Sequence, residues 1–194
     1  QSNIIYKGKS SIINGEFLFS FVVPKDIDYN IDFGRLSYYA EEETENIDAS
    51  GWNESFVVGG ISSDIIEDDL GPEIQLFMND KQFVSGGLTD ISPTFLAFVQ
   101  DSSGINTVGN GIGHDITITI DGESSKKIVI NEYYEADIDS YQSGKVEYSL
   151  QSLSEGLHTI DFKVWDVFNN SSESSIEFFV SESEDFIVEH LLNY

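Results

Sequence analysis

Short alternating segments, separated by clusters of Gly, Asn, Asp and Ser, constrain the fold of this chain most strongly. Apolar residues occupy alternate positions in Phe17–Val23, in Ile116–Asp121 and in Leu157–Trp165. A period of two places these side chains on one face of a strand, which is typical of an antiparallel sheet with one buried face. Because helix-period stripes are scarce, the sequence predicts an all-β fold.

Two groups of predicted strands lie on either side of an acidic segment. The first group consists of Ile4–Lys9, Phe17–Val23, Phe33–Ala40 and Phe56–Ile61. Asn14-Gly15 predicts a hairpin turn between the first two, since both residues tolerate positive φ. The second group consists of Glu73–Asn79, Thr94–Asp101, Ile116–Asp121, Ile128–Ile130, Val146–Leu150, Leu157–Trp165 and Ser174–Val180.

The strand groups predict two β-sandwich domains of the immunoglobulin or fibronectin-III type in tandem. Four strands in about 60 residues form a thin core, so we expect the first domain to be truncated or to lean on its neighbour. The predicted boundaries are a small β domain at 1–62, an acidic linker at 63–72, a sandwich at 73–181 and a tail at 182–194. Because the chain opens on the approach to a strand, we expect it to be a piece of a longer protein.

The charge of the chain excludes several classes of partner. Nine Lys and Arg residues stand against 35 Asp and Glu residues, for a formal net charge of −26. Such a charge repels nucleic-acid phosphates and anionic membrane surfaces. No apolar run approaches the roughly 20 residues that a transmembrane helix needs. The chain has no cysteine, so a disulfide, a thiolate metal site and a cysteine nucleophile are excluded within it.

No catalytic residue is predicted. The histidines are His114, His158 and His190, but no Gly-x-Ser-x-Gly elbow accompanies them. His158 lies on the apolar face of a predicted strand, where a packed histidine is the better interpretation. The glycine-rich run at Gly109–Gly113 matches neither phosphate-binding motif and is better explained as a turn.

Calcium is the cofactor that the acidic residues would suit, because hard cations bind several oxygen ligands at loops and junctions. The candidate ligands near the predicted junction are Asp64, Glu67, Asp68, Asp69 and Asp101. A second acidic cluster consists of Glu132, Glu135, Asp137 and Asp139. Neither matches the EF-hand pattern. The alternative for both is a solvated acidic surface that keeps the protein soluble.

Three tyrosines are the candidate binding residues. Tyr133, Tyr134 and Tyr141 lie in a predicted long loop that also carries Gly and Asp. Loops on a rigid sandwich are where binding residues concentrate, so an exposed tyrosine patch here would form a contact surface. The alternative is a loop folded over the edge of the sandwich, with the tyrosines as lids.

Several longer words in the sequence resemble one protein family. They are Phe19–Ile27, Phe83–Asp90, Ser103–Ile116, Asn131–Asp137, Tyr141–Gly144 and Leu153–Thr159. Together they resemble the region that follows the peptidase domain in PorU-type, gingipain-like cysteine peptidases, which act as the sortase of the type IX secretion system in Bacteroidetes. The resemblance runs from Ile4 to Tyr194, and the tail resembles the approach to a C-terminal sorting domain.

The resemblance implies an enzyme on the extracellular face of the outer membrane that removes sorting domains from secreted cargo and attaches the cargo to anionic lipopolysaccharide. Its catalytic Cys and His belong to an upstream domain, so that activity is not carried over to any residue here. We therefore expect an accessory region rather than an enzyme. One expected function is binding of a cargo sorting domain or an outer-membrane partner through the Gly104–Asp115 or Asn131–Gly144 loops. The other is a structural spacer between peptidase and sorting domain, for which calcium is the candidate stabilising ion.

Overall fold

The structure, a computed structural model, describes residues 4–25, 27, 31–42, 44, 46–60, 67–108 and 113–182. Their regular structure is β apart from two single 3₁₀ turns, at Ser124–Lys126 and Asn131–Tyr133. The prediction of an all-β, sandwich-type fold is confirmed. In these residues no helix is long and apolar enough to cross a membrane.

Contacts divide the chain into two compact units. One unit is Ile27–Glu67, and the other joins Gln1–Asp26 to Asp68–Tyr194. The first 26 residues thus group with the sandwich, whereas the sequence placed them with residues 27–62. The domain boundaries of the protein stay a prediction.

The strands are, in chain order, β1 (Asp32–Phe33), β2 (Leu36–Glu42), β3 (Ile47–Asn53), β4 (Val57–Val58), β5 (Glu73–Met78), β6 (Gly87–Thr89), β7 (Thr94–Gln100), β8 (Thr117–Ile120), β9 (Lys127–Val129), β10 (Tyr134–Ala136), β11 (Ser143–Ser149), β12 (Gly156–Trp165) and β13 (Ser171–Val180).

Strands β5 to β13 form the two sheets of a sandwich. One sheet has the order β10-β11-β7-β5 and the other β6-β13-β12-β8-β9. Neighbouring strands are antiparallel except β6 and β13, which are parallel. Because β5 belongs to the first sheet and β6 to the second, the chain crosses from one sheet to the other between these strands.

The core of the sandwich follows the alternation in its strands. On β12, His158, Ile160, Phe162 and Val164 are buried, as their shared face predicts. Ile160, Phe162 and Val164 pack in one cluster with residues of the facing sheet, among them Phe95, whose ring lies 5.7 Å from that of Phe162. Sheet-on-sheet burial of this kind is what stabilises a sandwich without disulfides.

All seven strands predicted for the sandwich are present, with ends shifted by a few residues. Two strands were missed, at Gly87–Thr89 and Tyr134–Ala136. Each has three residues, which is too short to show an alternation. Each forms because a long neighbour, β13 or β11, offers a free edge.

The predicted strands Ile4–Lys9 and Phe17–Val23 are wrong. The turn between them is present, with φ of 55° at Asn14 and 82° at Gly15, but the two arms are bridged only at Ile13 and Glu16 in the described residues. Their alternating aromatic residues stack on one another instead: the rings of Tyr6 and Phe21 lie 4.4 Å apart. The alternating aromatic residues, which predicted a hydrogen-bonded strand pair, therefore form a stack of rings without that pairing.

Residues 4–25, called the N-terminal arm below, dock on the sandwich at two places. Near its middle, the Ser10 hydroxyl and the backbone N–H and hydroxyl of Ser11 donate hydrogen bonds to the Asp139 carboxylate, at 2.6–3.0 Å. At its end, the Lys25 amide donates to the Val167 carbonyl at 2.9 Å, and the Lys25 ammonium lies 4.3 Å from the ring centre of Phe168.

The unit Ile27–Glu67 contains two small sheets. β1 pairs with β4, and β2 pairs with β3 along seven residue pairs. The predicted strand Phe33–Ala40 is therefore interrupted, and Phe56–Ile61 is reduced to β4, with Ile61 outside the described residues. β3 was missed because Asp48, Ser50, Gly51 and Asn53 weaken its strand signal.

Candidate functional site

Three aspartates converge at one end of the sandwich. Asp68 precedes β5, Asp101 follows β7 and Asp166 follows β12. One carboxylate oxygen from each lies within 4.8 Å of the others. Asp101 and Asp166 are buried, at 7% and 0% exposure, and Asp68 is half-buried. The strand ends of both sheets thus bring together acids that are far apart in the sequence.

Local turns hold each carboxylate in place. The Asp101 side chain accepts hydrogen bonds from the backbone N–H groups of Ser103 and Gly104, at 2.7 and 3.1 Å. The Asp166 side chain accepts from the backbone of Phe168 and from the backbone and side chain of Asn170. These are Asx-type turns, which Asp forms with N–H groups that follow it.

The surroundings of the three carboxyl groups shift their pKa values in different directions. Burial raises the pKa of Asp101, and the charge of Asp166 raises it further. Burial likewise raises the pKa of Asp166, against the opposing effect of its Asn170 hydrogen bonds. Asp68 has a lowered pKa, because the Ser103 hydroxyl and the Leu70 amide donate to it. Buried carboxylates favour a nearby cation, because ionising them otherwise costs free energy.

Oxygen ligands of this kind suit a hard cation such as calcium, which takes six to eight oxygens at about 2.3–2.6 Å. Of the predicted calcium ligands, the structure brings together Asp68 and Asp101. Glu67 and Asp69 are exposed and do not belong to the group, and Asp64 lies outside the described residues. Asp166 was missed; its signal was an acid directly after the strand Leu157–Trp165, before the turn residues Asn169 and Asn170.

The second predicted acidic cluster forms no such group among the described residues. Asp139 binds Ser10 and Ser11 of the N-terminal arm, and Glu135 pairs with Lys9 at 3.2 Å. Asp137 accepts a hydrogen bond from the Ser143 hydroxyl at 2.6 Å. Docking of the arm and a local turn therefore occupy these acids. Glu132 is exposed.

The three predicted binding tyrosines do not form one patch. Tyr133 is 48% exposed, and its ring meets that of Tyr148 edge-on at 4.8 Å. Tyr134 lies in the core at 6% exposure, and its burial raises its pKa. Tyr141 is half-buried against Gly104. Tyr134 therefore offers no exposed ring, and a binding role for Tyr133 or Tyr141 stays a prediction.

An open groove of about 820 Å³ lies beside Tyr133. Its apolar lining comprises Ile120, Ile128, Tyr133, Tyr148, Leu150 and Leu153. Charged residues of its lining are Glu132, Glu135, Glu147 and Lys145. A concave surface with an apolar floor and a few polar groups is a common form of binding site.

One Ser-His-Asp juxtaposition is present, but its geometry does not activate the serine. His158 Nδ1 lies 3.0 Å from an oxygen of Asp121. His158 Nε2 lies 2.8 Å from the Ser154 carbonyl oxygen and 3.4 Å from the Ser154 hydroxyl. Nε2 thus approaches the carbonyl oxygen, which can only accept a hydrogen bond, more closely than the hydroxyl, so the Ser154 hydroxyl lacks the close contact with a free nitrogen lone pair that a general base provides. His158 is a buried, hydrogen-bonded histidine, as its strand face predicts.

The predicted turn at Gly109–Gly113 lies mostly outside the described residues, as do His190 and the tail from 183 onward. His114, which follows the glycines, packs against Trp165 with ring centres 4.4 Å apart.

No protein-family model matches the chain, and a search of curated proteins finds no match. Among solved structures, the chain is similar to a crystal structure of dimeric latent PorU from Porphyromonas gingivalis, with 37% sequence identity and a TM-score of 0.59. The similarity covers 94% of this chain and 17% of the PorU chain, so this chain spans a small part of that protein's length. Over nearly its whole length, the chain is therefore similar to a region of PorU, as its sequence motifs predicted.

Proposed function

We propose that this chain is a non-catalytic accessory region of a PorU-like, cell-surface sortase of the type IX secretion system, and that it binds a protein partner. The partner is a cargo sorting domain or an outer-membrane protein of the system. The similarity to PorU over 94% of the chain carries this proposal. The location it entails is the extracellular face of the outer membrane.

The groove beside Tyr133 supports a binding role. Two of the sequence words that resemble the family meet at it: Asn131–Asp137 supplies Glu132 and Tyr133, and Leu153–Thr159 supplies Leu153. Exposed aromatic side chains are favoured at protein interfaces, because they bury a large area with few rotatable bonds.

Titration of the chain against an isolated cargo sorting domain, followed by calorimetry, tests the proposal. We expect saturable binding at micromolar affinity or tighter, about −8 kcal/mol. Tyr133→Ala is expected to weaken it, and Tyr39→Ala, which removes an exposed tyrosine in the other unit, serves as the matched control. If neither the sorting domain nor an outer-membrane partner binds, the binding role is contradicted.

The second candidate function is a structural spacer between peptidase and sorting domain that calcium stabilises. The convergence of Asp68, Asp101 and Asp166 favours it. A cation bound to the folded state raises the melting temperature by mass action. We expect the melting temperature to rise between chelator and millimolar calcium, and no rise with equimolar magnesium, which prefers a rigid octahedral site. Identical melting curves in chelator and in calcium would exclude calcium stabilisation.

A further inference from the structure

We propose that the groove beside Tyr133 binds an extended peptide segment in which apolar side chains alternate with Lys or Arg. The inference rests on the proposed binding role and names the chemistry of the partner. It follows from the floor, the rim and the strand edges of the groove.

The floor of the groove is apolar and lies between the two sheets. Ile120 and Ile128 come from β8 and β9 of one sheet, and Tyr148 comes from β11 of the other. Leu153 and Tyr148 are half-buried hydrophobic residues that pack against the core. Apolar side chains of a bound segment would extend this packing and remove more apolar surface from water.

The rim of the groove is acidic. Three glutamates stand against one lysine in its lining, Lys145, and that lysine pairs with Glu147 at 3.1 Å. Glu135 pairs with Lys9 of the N-terminal arm. Both pairs are at least 40% exposed, so each contributes little and can exchange with another cation.

Glu132 makes no ion pair within the described part of the chain, and its side chain is exposed at the groove. The chain as a whole is also strongly acidic, with a net charge of −26. Such a charge attracts a cationic segment and disfavours an acidic or phosphorylated one. Charge complementarity thus selects Lys and Arg as the polar residues of the partner.

The strands beside the groove leave main-chain groups for an extended partner. β9 is the last strand of its sheet and β10 is the last strand of the other. Just beyond β10, the N-terminal arm already bridges Ile138 through Lys9, whereas among the described residues β9 pairs only with β8 and keeps an open edge. An extended peptide can add to such an edge, and its side chains then alternate between floor and rim.

Three fluorescent peptides of about eight residues, long enough to cross the groove at about 3.3 Å per residue, test the inference. The first alternates Lys with Val. The second replaces each Lys by Glu, and the third replaces each Val by Ser. In fluorescence anisotropy with the 194-residue chain, we expect the Lys-Val peptide to bind at least tenfold more tightly than either other peptide. Equal binding of the Lys and Glu peptides would overturn the proposal.

A charge-matched pair of variants locates the binding. Glu132→Lys should weaken the Lys-Val peptide about tenfold. Glu177→Lys, on an exposed position of β13, changes the net charge equally and should leave the affinity within about twofold. Equal weakening by both would mean that the peptide follows the overall charge, and the groove assignment would fail.

The same variants separate this inference from the proposed function. One outcome is that a sorting domain binds the chain but the Lys-Val peptide does not, or that Glu132→Lys leaves binding of the sorting domain unchanged. The proposed binding role would then stand, and the assignment of binding to the groove would be wrong. If the Lys-Val peptide binds and Glu132→Lys weakens it while no sorting domain or outer-membrane partner binds, the groove remains and the proposed partners fall.

Discussion

Two buried aspartates at neighbouring strand ends have no basic side chain within hydrogen-bonding distance among the described residues. Asp101 and Asp166 are held by N–H donors, whose partial charges compensate only part of two carboxylate charges. Water is also partly excluded from them, which explains the raised pKa of each. The charges of Asp101 and Asp166 therefore lower the stability of this end of the sandwich when no cation is bound.

Asp101→Asn should stabilise the protein at neutral pH in chelator, by about 1 kcal/mol. The amide oxygen still accepts from Ser103 and Gly104, and the buried charge is gone. Urea unfolding of the two proteins in parallel measures the difference. In calcium the order should reverse if the site holds the ion, because the variant lacks one of its ligands.

The gain from Asp101→Asn should shrink as the pH falls. A carboxyl group whose folded pKa is raised carries its stability below the unfolded pKa and loses it as the pH rises through the folded pKa. Wild-type Asp101 is therefore protonated in acid, where the variant has no advantage. Melting curves between neutral pH and about pH 4 give the profile. A gain that stays constant over this range would assign the effect to packing rather than to charge.

The sequence could indicate two members of this aspartate trio but not the third. Asp68 belongs to an acid-rich segment, and Asp101 ends a predicted strand; Asp166 also follows a predicted strand directly, but nothing in the sequence links it to the other two. Its place beside the others depends on which strands neighbour each other across the sandwich. Likewise, Tyr133 and Tyr134 are adjacent in sequence, but β10 begins between them and buries only the second.

The N-terminal arm is held by side-chain hydrogen bonds and isolated backbone bonds, at Lys9 and Lys25, rather than by a continuous ladder. The Asp139 carboxylate accepts three hydrogen bonds from the arm. The bond from the Ser11 hydroxyl is the main cause of the lowered pKa of that carboxyl group. Asp139→Ala should release the arm and speed hydrogen exchange at the Ser11 amide. Asp137→Ala, which removes a bond to Ser143 instead, should leave that amide protected.

The docking of the arm should also weaken in acid. Because the folded pKa of Asp139 is lowered, its contribution is present above the unfolded pKa and is lost as the pH falls through the folded pKa. Exchange at Ser11 that is unchanged by Asp139→Ala at neutral pH would contradict this account of the arm.

Gly144 allows β10 to pair closely with β11. A methyl group at this position would overlap the Glu135 carbonyl and the Tyr134 ring. Gly144→Ala should therefore destabilise the sandwich by about 2 kcal/mol, since overpacking against backbone is relieved only by moving a strand. Chemical denaturation measures the loss, and Ser149→Ala, at an exposed position of the same strand, is the control. A loss no larger than that of the control would show that β10 yields without cost.

Strands with long alternation were predictable, and the elements without it were not. β12 buries every second residue along its length, so its pattern alone identifies it. β6 and β10 exist only because a neighbour pairs with them. The arm shows the converse: Phe17, Phe19 and Phe21 alternate as in a strand, yet their rings stack without a ladder. The alternation of apolar residues shows which side chains share a face of an extended segment. Whether that segment joins a sheet depends on a neighbouring strand with which it can form backbone hydrogen bonds.

Across the whole molecule, the excess of carboxylates opposes compaction. A net charge of −26 on 194 residues makes folding bring like charges together, and salt screens that repulsion beyond about 10 Å at 0.1 M. The melting temperature should rise as sodium chloride is increased from low ionic strength to about 0.3 M. Sucrose at matched osmolality controls for exclusion effects. A melting temperature that falls with salt would mean that the surface ion pairs outweigh the repulsion.

The parallel pairing of β6 with β13 has a mechanical consequence. These strands lie early and late in the sandwich, and they meet at Gly87, Leu88 and Thr89 opposite Phe178, Phe179 and Val180. Tension that reaches them from the two ends of the chain pulls parallel strands in opposite directions along their axes. Their hydrogen bonds are then loaded in shear and share the force, rather than opening one at a time like a zipper. For tension that reaches both strands, the parallel pair is therefore a mechanically stronger arrangement than an antiparallel hairpin would be.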